Sequence, residues 1–174
     1  MEMSLDGVVE HPENWAHQYF TPQMAEATTA DMPRAGEILF GRRTYEEFAQ
    51  VWPQRDPDEN PYVVFLNESQ KLVVSSTPIE LPWGPAERIE STEAVAELKE
   101  KPGGDLLVLG SPTLVGSLLR AGLLDQLEVF VVPTVIGTGQ RLFEADEPVR
   151  LRLTESRAFD SGVLLTRYAP EAKE

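Results

Sequence analysis

An α/β fold is what this sequence predicts, with a mainly parallel sheet built first and an antiparallel hairpin added late. Short apolar runs recur along the chain with helical patterns between them, the alternation that crossover helices and a parallel sheet produce. One run, Leu-Leu-Val-Leu at 106–109, has no polar interruption and reads as a strand buried on both faces. Near the end, Asp160-Ser161-Gly162 precedes a segment rich in β-branched and aromatic residues and reads as a hairpin turn.

In order, strands are expected at 37–40, 71–75, 106–109, 127–132, 150–154 and 163–168, and helices at 22–31, 44–51, 91–100 and 112–121. Thr21 is the expected N-cap of the first helix, with Pro22 at its first helical position. Ser91 is the expected N-cap of the third, with Glu93 in its first turn and Ala94, Val95 and Leu98 on one face. The fourth follows Gly110-Ser111, places Leu114, Val115, Leu118 and Leu119 on one face, and stops before Gly122. Segments 54–61 and 80–85 read as loops too short to link domains, so one domain is expected over residues 1–174.

The 174 residues carry 15 Lys and Arg against 29 Asp and Glu, a net charge of −14, and no cysteine. Such an acidic chain is not expected to bind nucleic acid, because phosphate contacts need a basic surface. Without cysteine there are no disulfides, thiolate nucleophiles or thiolate metal sites. No apolar run reaches the roughly 18 residues of a membrane span. The first ten residues hold Glu2, Asp6 and Glu10 and no basic residue, unlike a secretory signal. His11 and His17 lack a metal-ligand spacing, and no metal is expected. These features point to a cytoplasmic protein.

Three strand ends carry residues suited to phosphate. At Gly41-Arg42-Arg43-Thr44 a glycine permits close backbone approach, two arginines supply charge, and a helix start offers free N–H groups; the alternative is a turn with two solvated arginines. Ser75, Ser76 and Thr77 place three hydroxyls after a buried strand, where they can donate to phosphate or ribose oxygens or simply form a polar strand end. Gly110, Ser111, Pro112, Thr113 and Leu114 form a tight turn into a helix, a geometry that cradles pyrophosphate or merely caps a helix.

Taken together, SLDG at 4–7, GRRTY at 41–45, VVSST at 73–77 and VLGSPTLV at 108–115 resemble the dihydrofolate reductase-like superfamily. The similarity is greatest to the branch containing the reductase domain of bacterial riboflavin biosynthesis. It runs from Met3 to about Tyr168 and includes FAQVWP at 48–53 and PTVIGTGQRLF at 133–143.

The resemblance implies a three-layer fold, a central mixed, mainly parallel sheet flanked by helices, that binds NADPH across its strand ends. By that resemblance Gly41, Arg42, Arg43 and Thr44 grip the cofactor phosphates. Ser75, Ser76 and Thr77 lie near the adenosine ribose and its 2′-phosphate, and Gly110 to Leu114 form the second pyrophosphate loop. That loop reads Gly-Gly in dihydrofolate reductases proper; here Ser111 takes the second place. Asp6 falls beside the nicotinamide, together with the loop at 137–139, and Glu26 is the nearest candidate for the buried acid of pterin reduction. Trp15, Phe20, Phe48 and Trp52 fall where relatives line the substrate pocket. Relatives usually have more apolar residues before SLDG, so a short or truncated first strand is expected. The implied activity is NADPH-dependent hydride transfer to a small pterin- or pyrimidine-like heterocycle. The alternatives are a riboflavin-pathway 5-amino-6-ribosylaminopyrimidinedione reductase and a non-catalytic nucleotide-binding protein. A homodimer is possible, with the 127–132 strand at its interface or in the core.

Overall fold

The computed structural model describes residues 1–143 and 148–171. The chain forms two compact units, Thr29–Leu114, and Met1–Thr28 with Val115–Glu174.

The Thr29–Leu114 unit holds four strands, β2 (Ala35–Gly41), β3 (Lys71–Val74), β4 (Ala86–Ile89) and β5 (Asp105–Val108), in the order β4-β3-β2-β5. Every neighbouring pair is parallel. The two central strands carry the buried apolar residues Ile38, Leu39, Phe40, Leu72 and Val73, as strands covered on both faces should. The run at 106–109 does not behave as predicted. It forms the edge strand β5, and its residues are only partly buried, because a strand flanked on one side cannot be enclosed by its own sheet.

Helix α2 (Arg42–Val51) starts two residues earlier than its pattern suggests. Gly41 is extended, at φ −74° and ψ 153°, and is itself the N-cap, so both arginines belong to the first turn. Helix α3 (Pro61–Glu68) was not anticipated, although its start signals are present. The Asn60 side chain accepts from the N–H groups of Tyr62 and Val63, and Pro61 opens the helix. Helix α4 (Glu93–Lys99) is shorter than expected, with Thr92 at the N-cap position. Ser91 does not cap it; its hydroxyl bonds the Glu93 carboxylate and lowers that group's pKa.

The core of this unit gathers Ile38, Phe40, Tyr45, Leu66, Val73 and Trp83. Tyr45 donates its hydroxyl to the Trp83 carbonyl and accepts the Trp83 N–H, both at 3.0 Å. Lys71 is fully buried beside them. Its ammonium lies 4.5 Å from the centre of the Trp83 ring and donates to the carbonyls of Asn67 and Ser69 at 3.3 and 2.9 Å. Burial pushes its pKa down from 10.5 to about 8.

The other unit has a mixed sheet in the order β1-β6-β8-β7, formed by β1 (Glu2–Ser4), β6 (Leu127–Val132), β7 (Leu151–Ala158) and β8 (Leu164–Pro170). Three-residue β1 pairs parallel with β6, so the expected short first strand is present. The last three strands are antiparallel, as the late hairpin signal predicted. Gly162, at φ +85°, makes the turn, and its N–H donates to the Phe159 carbonyl. Strand β6 lies between β1 and β8 with Leu127, Val129, Phe130 and Val132 buried. It is core, one of the two places the sequence left open for it.

Phe130, Val132, Val163 and Leu165 pack with Trp15, Phe159 and, from α1 (Pro22–Thr29), Met24 and Ala27. The Met24 N–H donates to the Thr21 hydroxyl at 3.3 Å, the expected cap. The helix ends at Thr29 rather than at 31, and a 3-10 turn, Met32–Arg34, follows. Helix α5 (Pro112–Arg120) closes at Gly122, φ +70°, with the Gly122 and Leu123 N–H groups bonded back to Leu119 and Leu118. Among the described residues no helix is long and apolar enough to cross a membrane.

The buried lysine predicts a pH dependence. Because its pKa in the folded chain is below its unfolded value, the unfolded chain binds the extra proton between about pH 8 and 10.5. Stability therefore rises with pH across that window. Thermal melting of wild type is expected to show this rise, and Lys71→Met a flatter profile; identical profiles would contradict it.

Candidate functional site

Parallel pairing brings the carboxyl ends of β2, β3 and β5 to one edge of their sheet. The three motifs singled out in the sequence follow those strands, and hydrogen bonds join the first to each of the other two. The Gly41 N–H donates to the Ser111 hydroxyl at 2.9 Å. That hydroxyl donates to the Leu109 carbonyl at 3.0 Å, and the Ser111 N–H donates to the Thr44 hydroxyl at 3.1 Å. Gly110 and Ser111 both have φ +54°. Ser111 thus occupies a left-handed backbone position that favours glycine, and its three hydrogen bonds hold it there. It is 3% exposed, so its hydroxyl serves the turn and is not available to a ligand as expected. A Cβ at Gly110 would come within 3.1 Å of Thr44 Cγ2, so this position needs glycine for space as well as for conformation.

The remaining predicted residues divide by exposure. Arg42 is exposed, with Nε on Glu46 at 2.9 Å and Nη1 donating to the Thr77 hydroxyl at 3.1 Å. Arg43 is exposed one residue further along the first turn. Ser75 is buried, its hydroxyl donating to the Thr77 carbonyl at 2.8 Å; this local turn engages it and corrects the expectation of a ligand contact. Ser76 and Thr77 are exposed. Pro112 has no N–H to offer, Thr113 is exposed, and Leu114 packs in the core at 6% exposure. The sequence reading missed Arg88, on β4. Its Nη1 donates to the Ser75 carbonyl at 3.0 Å and its Nη2 pairs with Glu90 at 2.6 Å. Two guanidiniums therefore flank the Ser75–Thr77 turn. Only the strand pairing Val73↔Arg88 reveals this.

Phe48 and Trp52, both half-buried, form part of an aromatic ladder. Phe48 lies 5.5 Å from Phe40 and 5.8 Å from Trp52, Trp52 meets Tyr62 edge-on at 5.4 Å, and Arg55 covers the Trp52 ring at 5.1 Å. A shallow, mostly apolar hollow of about 530 Å³ lined by Met32, Pro57, Asn60, Pro61, Val64 and Phe65 holds none of the predicted residues.

In the other unit Asp6 is a loop staple. Its carboxylate accepts from the Ser4 hydroxyl at 2.7 Å and from the N–H groups of Ile136 and Gly137 at 3.1 and 2.8 Å. These bonds, that of Ser4 foremost, lower its pKa from 3.8 to about 2. Arg141 donates to the Asp6 and Gly137 carbonyls. The carboxylate stays ionised at neutral pH and holds the backbone of residues 136 and 137. Glu26 is exposed on α1 and is not the buried acid the resemblance calls for. Trp15 is core, its indole N–H donating to the Glu10 carbonyl at 3.0 Å, whereas Phe20 is 52% exposed. Among the described residues no cluster of His, Asp and Glu is arranged to hold a metal.

These features define an α/β protein with arginines and a helix start gathered at the carboxyl edge of a parallel sheet. Residues 1–165 match the RibD C-terminal domain, and the chain belongs to that family. It is 28% identical to the uncharacterised protein YyaP of Bacillus subtilis (strain 168), over 97% of this chain and 91% of that one. Its fold is shared with a putative riboflavin biosynthesis protein from Shewanella sp. PV-4, at a TM-score of 0.78, 20% identity, and coverage of 99% and 97% of the two chains. It is also shared with a diaminohydroxyphosphoribosylaminopyrimidine deaminase/5-amino-6-(5-phosphoribosylamino)uracil reductase from Thermotoga maritima. There the TM-score is 0.65 and the identity 17%, over 97% of this chain and 54% of that one.

Gly110→Ala is expected to cost about 1–2 kcal/mol in urea unfolding, since it forces a side chain into a left-handed position. Asp6→Asn should speed amide exchange at Ile136 and Gly137 and lower the melting temperature. In wild type the Asp6 contribution is full above pH 3.8 and is lost as pH falls through about 2. Unchanged exchange in the variant would refute the staple.

Proposed function

We propose that this chain is a cytoplasmic NADPH-dependent reductase that passes hydride to a small heterocycle of the pyrimidine or pterin type. The observation that carries the reading is the joined set of strand-end turns: the first turn of α2 with Arg42 and Arg43, tied through Thr77 to the Ser75–Thr77 turn and through Thr44 to Gly110-Ser111. First-turn N–H groups have no partner within their helix and favour anions. Three exposed or half-buried arginines with adjacent hydroxyls suit a phosphate monoester, such as the 2′-phosphate that distinguishes NADPH from NADH. In a chain of net charge −14 this concentration of cations is a specific feature.

Bound NADPH would supply the hydride itself. On this reading Arg42, Arg43 and Arg88 hold its phosphates, and the Ser111 hydroxyl fixes the spacing of the two turns. Family membership supports the reductase class, and a ribosylaminopyrimidine of the riboflavin pathway is the first acceptor to try. On this reading the proton comes from water or a nearby acid.

A thermal-shift titration with NADPH, NADH and NADP+ tests the proposal. Saturation a hundredfold above the dissociation constant stabilises the fold by about 2.7 kcal/mol. NADPH is expected to raise the midpoint more than NADH, and Arg42→Ala to lose most of that difference. No shift with either reduced nucleotide would overturn the cofactor assignment; a shift without turnover on any acceptor would favour a non-catalytic nucleotide-binding protein.

A further inference from the structure

Both arginines that touch the Ser75–Thr77 turn also hold a carboxylate, and they hold it in the same way. A guanidinium is planar, and hydrogens on its Nε and Nη2 point out from one edge in parallel. Carboxylates and phosphates bind such an edge with two oxygens. In Arg42 the turn takes Nη1, through the Thr77 hydroxyl at 3.1 Å, and Glu46 takes Nε at 2.9 Å. In Arg88 the turn again takes Nη1, through the Ser75 carbonyl at 3.0 Å, and Glu90 takes Nη2 at 2.6 Å. Each guanidinium is thus anchored to the turn at its Nη1 corner, while an acid occupies the Nε/Nη2 edge that suits a phosphate.

The two kinds of contact differ in what they can do. Thr77 and Ser75 lie 35 and 13 positions from their arginines and fix each guanidinium to the fold. Glu46 and Glu90 lie four and two positions away, and their side chains are 43% and 79% exposed. Exposed pairs of this kind are weak, so either carboxylate can swing into water and leave its arginine on the turn. Removing an acid therefore frees the edge without losing the anchor.

We infer that Glu46 and Glu90 are internal competitors of the cofactor, holding the phosphate-binding edges of Arg42 and Arg88 until a phosphate monoester displaces them. This rests on the NADPH reading proposed above. A phosphate near its second ionisation carries more charge than a carboxylate and offers three oxygens to the same edge, so it wins the exchange. A ribose hydroxyl carries no charge and leaves the arginines with their acids. The two acids thereby set how tightly the phosphorylated nucleotide is held, and they take back the arginines as it leaves.

Isothermal titration calorimetry of the full chain with NADPH and with NADH, at physiological ionic strength, tests this. Glu46→Gln and Glu90→Gln keep the side-chain size and remove the competing charge. Each is expected to tighten NADPH about two- to fivefold, the range that exposed ion pairs span, and to leave NADH unchanged. The double variant should tighten NADPH by about the product of the two effects. Glu47→Gln and Glu87→Gln remove the same charge from exposed neighbours in sequence; they are expected to change neither affinity, since salt screens exposed charges. The positions act on different arginines, so one variant that is folded by circular dichroism suffices. NADPH affinity that is unchanged or weaker in a folded glutamine variant of Glu46 or Glu90, or raised as much by the control substitutions, overturns the inference and leaves the cofactor reading standing. No NADPH binding by wild type or any variant overturns the cofactor reading, and this inference with it.

Discussion

Parallel pairing of β2 with β3 and β5 is the constraint from which the candidate site follows. Parallel strands end at a common edge, so the turns after Gly41, Val74 and Val108, separated by tens of residues in sequence, are delivered to one place. Right-handed crossovers and helices that begin at that edge then supply free N–H groups there without any dedicated residue. Charge is the part that the side chains add. Arg42 reaches Thr77 from α2, and Arg88 reaches the Ser75 carbonyl from the neighbouring strand β4. An antiparallel sheet built from the same segments would scatter these groups over two edges.

Ser111 shows how such an edge is held in register. A left-handed serine is strained relative to glycine, and the chain offsets this with three hydrogen bonds that also tie β5 and α5 to the start of α2. The hydroxyl withdraws from ligand contact and becomes part of the scaffold. Gly110 beside it has no such freedom, because both its conformation and the approach of Thr44 exclude a side chain. The Asp6 cluster applies the same device in the other unit: one carboxylate receives a hydroxyl and two N–H groups and fixes the 136–141 loop. In both places polar side chains that look chemical in the sequence act by positioning backbone.

Much of the fold was legible in the residues because the signals were local. Apolar runs, Thr21 and Pro22 before α1, Gly122 after α5 and Asp160-Ser161-Gly162 before β8 each act within a turn or two of chain. Helix α3 was equally legible in Asn60-Pro61, but the surrounding acidic, proline-rich segment masked it. What local pattern could not report was the number of neighbours a strand has. The 106–109 and 127–132 runs are alike in hydropathy, yet one is an edge strand and the other an interior one, since burial depends on sheet order.

By itself, then, the sequence determined the α/β class, the three strand-end motifs and the two arginines of the first, because backbone propensity, glycine positions and residue chemistry are properties of short segments. Only the tertiary structure decided which of those groups face outward. It engaged Ser75, Ser111 and Asp6 in backbone bonds, sent Trp15 and Leu114 to the core, exposed Glu26, added Arg88 and left β7 uncovered. A hydrogen bond or a burial needs a partner distant in sequence, and that partner exists only once the strands have been placed side by side.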